Sequence, residues 1–501
     1  METGCEGTVL AFDIGTSAIK ASVLSGSGQV LLSGAHAYRT RYTEGGRAEQ
    51  APEDWWQGMK CLAADFTARA PNWAREVAAI GVSGHMLGCL PVNAKGEALH
   101  PALIHSDSRA ARQCADVGVK AGADAIYQMS GNPLDARASL CKILWFLEEE
   151  PAIYHAASRF LQCKDYIVSR LTGEIDTTDY SDASHGGLID LRTKRYDEAL
   201  YRTLGIDMSK LPAVRRSIDI IGPLTAHAAA DLHLPAGIPV IAGAGDGASA
   251  ALGASALGEG DAYLCLGTTA WITVCSQQPV FDAQKRIFQF LSADNEGYCV
   301  TGATESACAA LNWILGLLEE EEPTRADLIA AGVAPGSDGL IFLPYLSGER
   351  SPVYDRDARG MFFGLCAAHT RAHLIRASLE GVALALKDIF RVFQEHFNPG
   401  RISRMRIIGG GAKSSLWREI IASACGLRLD TLQTASSDIT SAGIGFAAAT
   451  AAGFFPSLAE AVHSVRKADE THPNPAWTEI YARSYTVYAQ LYPRLRDLFQ
   501  G

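Results

Sequence analysis

One local pattern occurs twice in this 501-residue chain and narrows what it can fold into. Near the start, an apolar strand ends at Asp13, meets Gly15-Thr16-Ser17, and resumes as a second strand; a Ser-Gly-Ser-Gly turn and a third strand complete the stretch Val9–Leu31. In the middle, Asp261–Leu266 reads as a strand, Gly267-Thr268-Thr269 as its tip, and Ala270–Cys275 as the returning strand. Each half later sends an apolar strand into a glycine-rich turn, "IAGAGDG" at Ile241–Gly247 and "IIGGGAK" at Ile407–Lys413. Strands at these spacings, alternating with helical patterns, predict two α/β units related by a crude duplication. The small-residue stretch 248–260 marks the boundary, giving domains 1–250 and 251–501. Further predicted elements are strands at Val77–Val82, Gly88–Val92, Ile238–Ala242 and Met405–Ile408, and helices at Leu140–Glu150, Ala248–Ala256 and Ser415–Cys425.

Composition supplies material for two cores, with 48% hydrophobic and 20% charged residues. The formal net charge of -11 argues against a nucleic-acid partner. Any anionic ligand must therefore be held by local donors. The 12 cysteines are scattered, without C-x-x-C pairs or zinc spacing, as in a protein of a reducing compartment. "METGCEGT" shows no signal-peptide pattern and no apolar run reaches the length of a span. A cytoplasmic protein with no membrane partner is expected.

The hairpin tips carry the first chemistry. Glycine lets backbone N–H groups approach a ligand, and the Thr16 and Ser17 hydroxyls add donors. Asp13 would repel phosphate unless Mg2+ stood between them, since that ion takes one or two carboxylates together with phosphate oxygens. Alone, such a hairpin is more simply an ordinary turn. Two of them, with Gly15, Thr16 and Ser17 on one and Gly267, Thr268 and Thr269 on the other, make sense as a clamp on a polyphosphate. Lys20, on the strand after the first tip, is either a phosphate contact or a plain surface lysine.

Gly243-Ala244-Gly245-Asp246-Gly247-Ala248 admits three readings. Formally it matches G-x-G-x-x-A, a dinucleotide fingerprint that would make this an NAD-dependent dehydrogenase, although Asp246 would then face a pyrophosphate. Alternatively Asp246, on a glycine-flanked loop after a strand, accepts a proton from an attacking alcohol. The plainest reading is an Asp-Gly turn. Gly409-Gly410-Gly411-Ala412-Lys413-Ser414 resembles a Walker A loop but fails, because Ala412 stands where that motif needs glycine before lysine. It is either an open backbone for adenine or ribose or a tight strand-to-helix turn.

In this order, the motifs together resemble the FGGY family of carbohydrate kinases, its xylulokinase-like members most. "FDIGTSAIK" is similar to that family's first phosphate motif, "LGTTA" to its second, "IIGGGAKSSLW" to its adenosine motif and "GAGDGASAALG" to its catalytic-aspartate segment. "GMFFGLCAAHTRAHLIRASLEG" fits its second signature; "SLCKILWFLEEE" approaches its first, with Arg137 departing from it. The resemblance implies an α/β fold of two actin-like ATPase (ribonuclease H-like) domains flanking a deep cleft. It implies ATP-dependent phosphorylation of a sugar or polyol hydroxyl, Asp246 as base, Asp13 holding Mg2+ through water, and Gly410, Gly411, Ala412 and Lys413 at the adenosine. A dimer is suggested.

The family's sugar-contacting patterns are altered here. "GQMHG" reads Gly84-His85-Met86-Leu87-Gly88, and "WNDGR" reads His105-Ser106-Asp107-Ser108-Arg109. His85, Met86, Asp107 and Arg109 are the expected substrate contacts, with a structural ion pair as the alternative for the last two. These departures widen the acceptor from xylulose to another ketose or polyol, such as L-xylulose, ribulose, a heptulose or an alditol. A non-catalytic sugar-binding regulator on the same fold is the remaining class, and the presence of both Asp13 and Asp246 counts against it.

Overall fold

The computed structural model describes residues 7–320, 322–398 and 400–499, so the first six residues of the "METGCEGT" stretch lie outside the described residues. The first half is built on β1 (Thr8–Ile14), buried at every position. It pairs antiparallel with β2 (Ala18–Ser25), which pairs antiparallel with β3 (Val30–Ala37). Helix α1 (Pro52–Arg69) follows, and then β4 (Val77–Gly84), parallel to β1. Helix α2 (Cys163–Thr172) is followed by β5 (Ile220–Pro223), β6 (Pro239–Ile241) and α3 (Asp246–Gly253). The sheet order is β5-β6-β4-β1-β2-β3, with the short strand Ala244–Gly245 also paired to β4.

The second half repeats this plan. β7 (Ala262–Leu266) and β8 (Ala270–Ser276) form the hairpin, and β9 (Phe288–Leu291) and β10 (Tyr298–Thr304) extend it. After the long helix α4 (Arg371–His396), β11 (Arg404–Ile408) pairs parallel with β7. Then come α5 (Ser415–Cys425), β12 (Arg428–Leu432), α6 (Ile439–Ala451) and β13 (Lys467–Thr471). The order is β9-β10-β8-β7-β11-β12-β13. Both sheets thus place an N-terminal hairpin beside parallel strands, the two-domain actin-like arrangement.

Strand parity decides which side chains meet between the halves, because successive residues point to opposite faces. Leu10, Phe12 and Ile14 join the core formed with α1 and α2, through Trp55, Met59, Phe66 and Ile167. Val9 and Ala11 join a second core with α3 and α6, through Ala250, Ala251, Ile444 and Phe446. Asp13 has the parity of Val9 and Ala11, so it emerges on the α3–α6 side. Tyr263 of β7 also reaches that second core, whereas Leu264 and Leu266 pack in the core that holds side chains of α4 and α5.

Most predicted elements recur within one or two residues. The exception that matters is α3, which begins at Asp246 rather than Ala248. Gly245, extended at φ -59° and ψ 155°, precedes it as the cap, so Asp246 opens a helix and does not sit on a loop. A boundary at 250/251 therefore falls inside α3. Moreover α6, from the second half of the chain, packs on β1 and β4 of the first sheet. Among the described residues every cysteine is free, and no helix is long and apolar enough to cross a membrane.

Candidate active site

Three parallel strands bring the first group together. Asp13 pairs with Ser83 on β4, and Ser83 with Ala244; Ile14 pairs with Gly84, and Gly84 with Gly245. Asp13, near the end of β1, and Asp246, just after the short strand Ala244–Gly245, thus lie at the same end of the sheet on either side of β4. Asp13 Oδ1 and Ser83 Oγ are buried without a hydrogen-bond partner. Burial raises the Asp13 carboxyl above the ordinary range, opposed by Lys20, its register partner on β2. Asp246 is pushed up to about 7, chiefly by desolvation and then by the charge of Asp13, with the Gly247 N–H opposing. Two carboxyls with raised pKa values, one with an unpartnered buried oxygen, have the chemistry to hold a divalent cation and to accept a proton.

The two hairpin tips are anchored alike. Behind the first, Tyr38 Oη donates to the Gly15 carbonyl, Thr40 Oγ1 and Gln50 Nε2 donate to the Thr16 carbonyl at 3.0 and 2.7 Å, and Tyr38 N donates to the Ser17 carbonyl. Behind the second, Cys308 N donates to the Gly267 carbonyl, and Ala307 N and Ala309 N donate to the Thr268 carbonyl. In both tips the carbonyls are consumed from one side. Ser17 and Thr268 are exposed. Gly15 N and Gly267 N are themselves spent within the hairpins, on the Ala18 and Thr269 carbonyls at 3.1 and 3.0 Å, so the donors left for an anion are those of the residues that follow each glycine.

A cavity of about 700 Å³ runs between the hairpins, lined by Lys20, Cys265, Trp271, Gly410, Lys413 and Thr440, among others. Its size suits a nucleotide. The three glycines after β11 divide the work. A Cβ on Gly409 would lie 2.5 Å from the Leu266 carbonyl oxygen, and one on Gly411 2.6 Å from Leu266 Cγ; Gly410 meets nothing within 4 Å. Ala412 is buried, and Lys413 is exposed at the cavity. Gly411→Ala is expected to cost about 1–3 kcal/mol of stability by overpacking. Gly410→Ala is expected to stay within about 0.5 kcal/mol of the parent while raising KM for ATP. Thermal denaturation and ATP titration of the two variants check this split.

The sequence-predicted sugar contacts separate into two sets. Met86 is buried beneath the catalytic turn, where its side chain would meet a Cβ at Gly245 at 2.5 Å. His85 is buried, 3.2 Å from Gln50 Oε1 through Nε2, with Nδ1 unpartnered. Its ring lies 5.9 Å from that of His105, whose Nδ1 is also unpartnered. Desolvation lowers both, His85 to about 3 and His105 to about 4, so the pair is neutral at pH 7. Asp107, by contrast, is fully buried. Its carboxylate accepts from Ala48 N at 2.7 Å and from Arg109 through Nε and Nη2, and Arg109 Nη2 also reaches Glu49 at 2.7 Å. Those two form an ion pair bracing the strand Arg47–Gln50, with the guanidinium 5.0 Å from the centroid of the Trp145 ring.

A small cavity of about 100 Å³ continues from His105, lined by Leu87, Arg137, His185, Arg350 and Tyr354. Residues of both halves close it. His185 Nδ1 and Arg350 Nε are buried and unpartnered, so polar groups converge there with their hydrogen-bonding capacity unspent. The cavity adjoins the catalytic turn: His185 packs 5.3 Å from Phe290, whose ring would meet a Cβ on Gly247. His185, Arg350 and Tyr354 carry no local sequence signal. Arg137 was visible only as a departure from a signature, and it is bound to Asp135 at 2.6 Å.

The dinucleotide reading of 243–248 fails on packing. A Cβ on Gly243 would sit 2.0 Å from the Val82 carbonyl oxygen, and Gly245 is covered by Met86, so these glycines serve close packing and leave no open backbone for a pyrophosphate.

Comparison with known proteins agrees with this geometry. Residues 8–253 match the N-terminal domain of the FGGY family of carbohydrate kinases, and residues 262–452 match its C-terminal domain. The chain is 29% identical over 492 residues to a xylulose kinase of Bacillus subtilis (strain 168), covering 98% of this chain and 97% of that protein. It is 30% identical over 425 residues to a gluconokinase of the same organism, covering 83% and 82%. The crystal structure of a xylulose kinase from Rhodospirillum rubrum superposes with a TM-score of 0.87 at 29% identity, over 99% of this chain and 100% of that one. With both domains matched and both carboxylates, both hairpins and the nucleotide cavity in place, the chain belongs to the FGGY family of carbohydrate kinases and is a phosphotransferase with an alcohol group as acceptor.

Proposed function

We propose that this kinase transfers the ATP γ-phosphoryl group to a hydroxyl of a ketose, such as a pentulose, or of a polyol, with Asp246 as the base. The observation carrying this reading is that Asp13 and Asp246 stand at the same end of the first sheet, on either side of β4, with the nucleotide-sized cavity bordered by Lys20, the register partner of Asp13. Domain 1–250 holds the sugar and the base, and domain 251–501 most of the ATP. Asp13, with its unpartnered Oδ1, fits Mg2+ held through water; that ion supplies charge neutralisation on the phosphates.

The chain's own groups perform the rest. The donors of Thr16, Ser17, Thr268 and Thr269 grip the phosphates, with Gly15 and Gly267 shaping the two tips; Gly410 and Lys413 border the adenosine. His85 and His105, neutral and each with a free nitrogen, bind acceptor hydroxyls over Met86. Asp107 and Arg109 hold the wall behind them. Asp246 takes the hydroxyl proton as the oxygen attacks, while positioning and electrostatics supply most of the rate. Closure of the two halves excludes water, the competing acceptor.

Coupled ADP release, measured with ATP and Mg2+ across ketopentoses, ketohexoses, heptuloses and alditols, tests the proposal. Saturable sugar-dependent turnover with a ketose or alditol is expected. ATP consumption unaffected by every member of the panel would reject it. The altered His85-Met86-Leu87 and His105 positions favour a best acceptor other than D-xylulose.

A further inference from the structure

Behind the catalytic turn lies a charged cluster with no access to solvent. Lys164, near the start of α2, is surrounded by Asp165, Asp179 and Asp182, and all four side chains are 0% exposed. The ammonium touches Asp165, lies 3.0 Å from Asp179 and 3.2 Å from Asp182. One cation facing three carboxyls in a dry interior leaves excess negative charge unless a proton is retained. Burial, opposed by Lys164 and reinforced by Asp179, holds the Asp182 carboxyl well above its ordinary range.

The four residues differ in where they lead. Asp179 caps the short helix Tyr180–His185, accepting from Ser181 N at 2.8 Å, Ser181 Oγ at 2.6 Å and Asp182 N at 3.3 Å. Ser217 Oγ donates to it as well, at 3.3 Å. Ser181 Oγ, its proton given to Asp179, accepts from Gly245 N at 2.9 Å. Gly245 is the residue before Asp246. The path Lys164–Asp179–Ser181–Gly245 is therefore continuous, an ion pair followed by two hydrogen bonds, and it ends on the backbone just before the carboxylate. The Asp182 carboxyl has no contact beyond Lys164 and makes no hydrogen bond towards Ser181 or Gly245. Gly243 is gripped from the same side, with Lys164 Cδ 3.5 Å from where its Cβ would stand.

We infer that Lys164, Asp179 and Ser181 are positioning residues, a buried strut that fixes the Ala244–Gly245 peptide, one residue before Asp246, and so the line of approach between Asp246 and the attacking hydroxyl. The inference rests on Asp246 acting as the base. Each bond in the path has an ionised or directly polarised partner in a low-dielectric interior, where hydrogen bonds are stiff. A base displaced by a fraction of an ångström loses rate without losing ligand affinity.

The test compares variants of equal depth. Ser181→Ala removes the acceptor for Gly245 N and is expected to lower kcat for sugar phosphorylation by roughly 10- to 100-fold, leaving KM for ATP and for sugar nearly unchanged. Ser181→Thr, which retains Oγ, is expected to recover most of the loss. Asp182→Asn, an isostere of the protonated acid with no path to Gly245, is expected to leave kcat within about threefold. A merely structural cluster would make these variants alike in kcat once corrected for folded fraction. The strut is overturned if Ser181→Ala keeps wild-type kcat, or if Asp182→Asn loses as much as Ser181→Ala. Asp246→Asn run in parallel separates the two readings. If that variant remains active, the base assignment fails; if it is inactive while Ser181→Ala is fully active, only the strut fails.

Discussion

Asp246→Asn is expected to reduce kcat for sugar phosphorylation by about 10³-fold, within the range for loss of a positioned general base, while ATP affinity stays near that of the parent. Asparagine keeps the volume and the helix-opening position but cannot accept the proton. The parent enzyme should show the matching pH dependence. Asp246 must be ionised to act, and its folded pKa is raised to about 7. Activity in kcat/KM for the sugar therefore falls as pH drops through about 7, approaching tenfold per unit below it. The raised value also predicts a stability effect of opposite sign. The folded state binds this proton more tightly than the unfolded chain, whose aspartate titrates near 3.8. The ionised residue thus costs stability above pH 7, and Asp246→Asn should melt at a higher temperature than the parent at pH 8. A variant both dead and less stable at pH 8 contradicts this account.

The second large effect is at Asp13. Asp13→Asn removes the charge that fits Mg2+, and kcat/KM for MgATP is expected to fall by about 10³-fold, or about 4 kcal/mol of transition-state stabilisation. The same change deletes a like charge beside Asp246. In the metal-free protein the titration of Asp246 should therefore move below the parent's, though not to an ordinary carboxylate value, because desolvation is the larger cause of the shift at Asp246. A metal-free titration of Asp13→Asn with Asp246 unmoved would dissociate the two carboxyls. Raising Mg2+ is expected not to restore the variant, since the ligand and not its occupancy has been lost.

Much of this site was legible because its parts are short strings with local geometry. The strand–Gly-Thr–strand units, the acidic residue ending β1 and the triple glycine after β11 each determine their backbone within about ten residues. Their recurrence in both halves disclosed a shared cavity. What stayed hidden depends on partners far along the chain. Asp107 and Arg109 stand in a sugar-contacting pattern, yet Ala48 and Glu49 claim them, and separations of 59 and 60 positions do not announce that pairing. His185 and Arg350 meet across the two halves. Lys164, 81 positions before Gly245, reaches it only through Ser181. The onset of α3 was misplaced by two residues because Asp-Gly reads locally as a turn, whereas pairing of Ala244–Gly245 with β4 forces the helix to begin at Asp246.

The seat of α6 has a consequence for how the molecule holds together. A Cβ on Gly253 of α3 would stand 1.9 Å from the Ile439 carbonyl oxygen, and one on Gly443 of α6 1.9 Å from that of Ser249. The two helices thus touch backbone to backbone, and α6 covers the face of β1 bearing Val9 and Ala11. Cutting the chain at the midpoint of its duplication would strip that face bare, so neither half is a self-sufficient gene product despite the repeated plan. The lobes resemble two blades sharing a rivet. Glycine at the crossing leaves no side chain between the two helices, so the rivet is made of backbone alone.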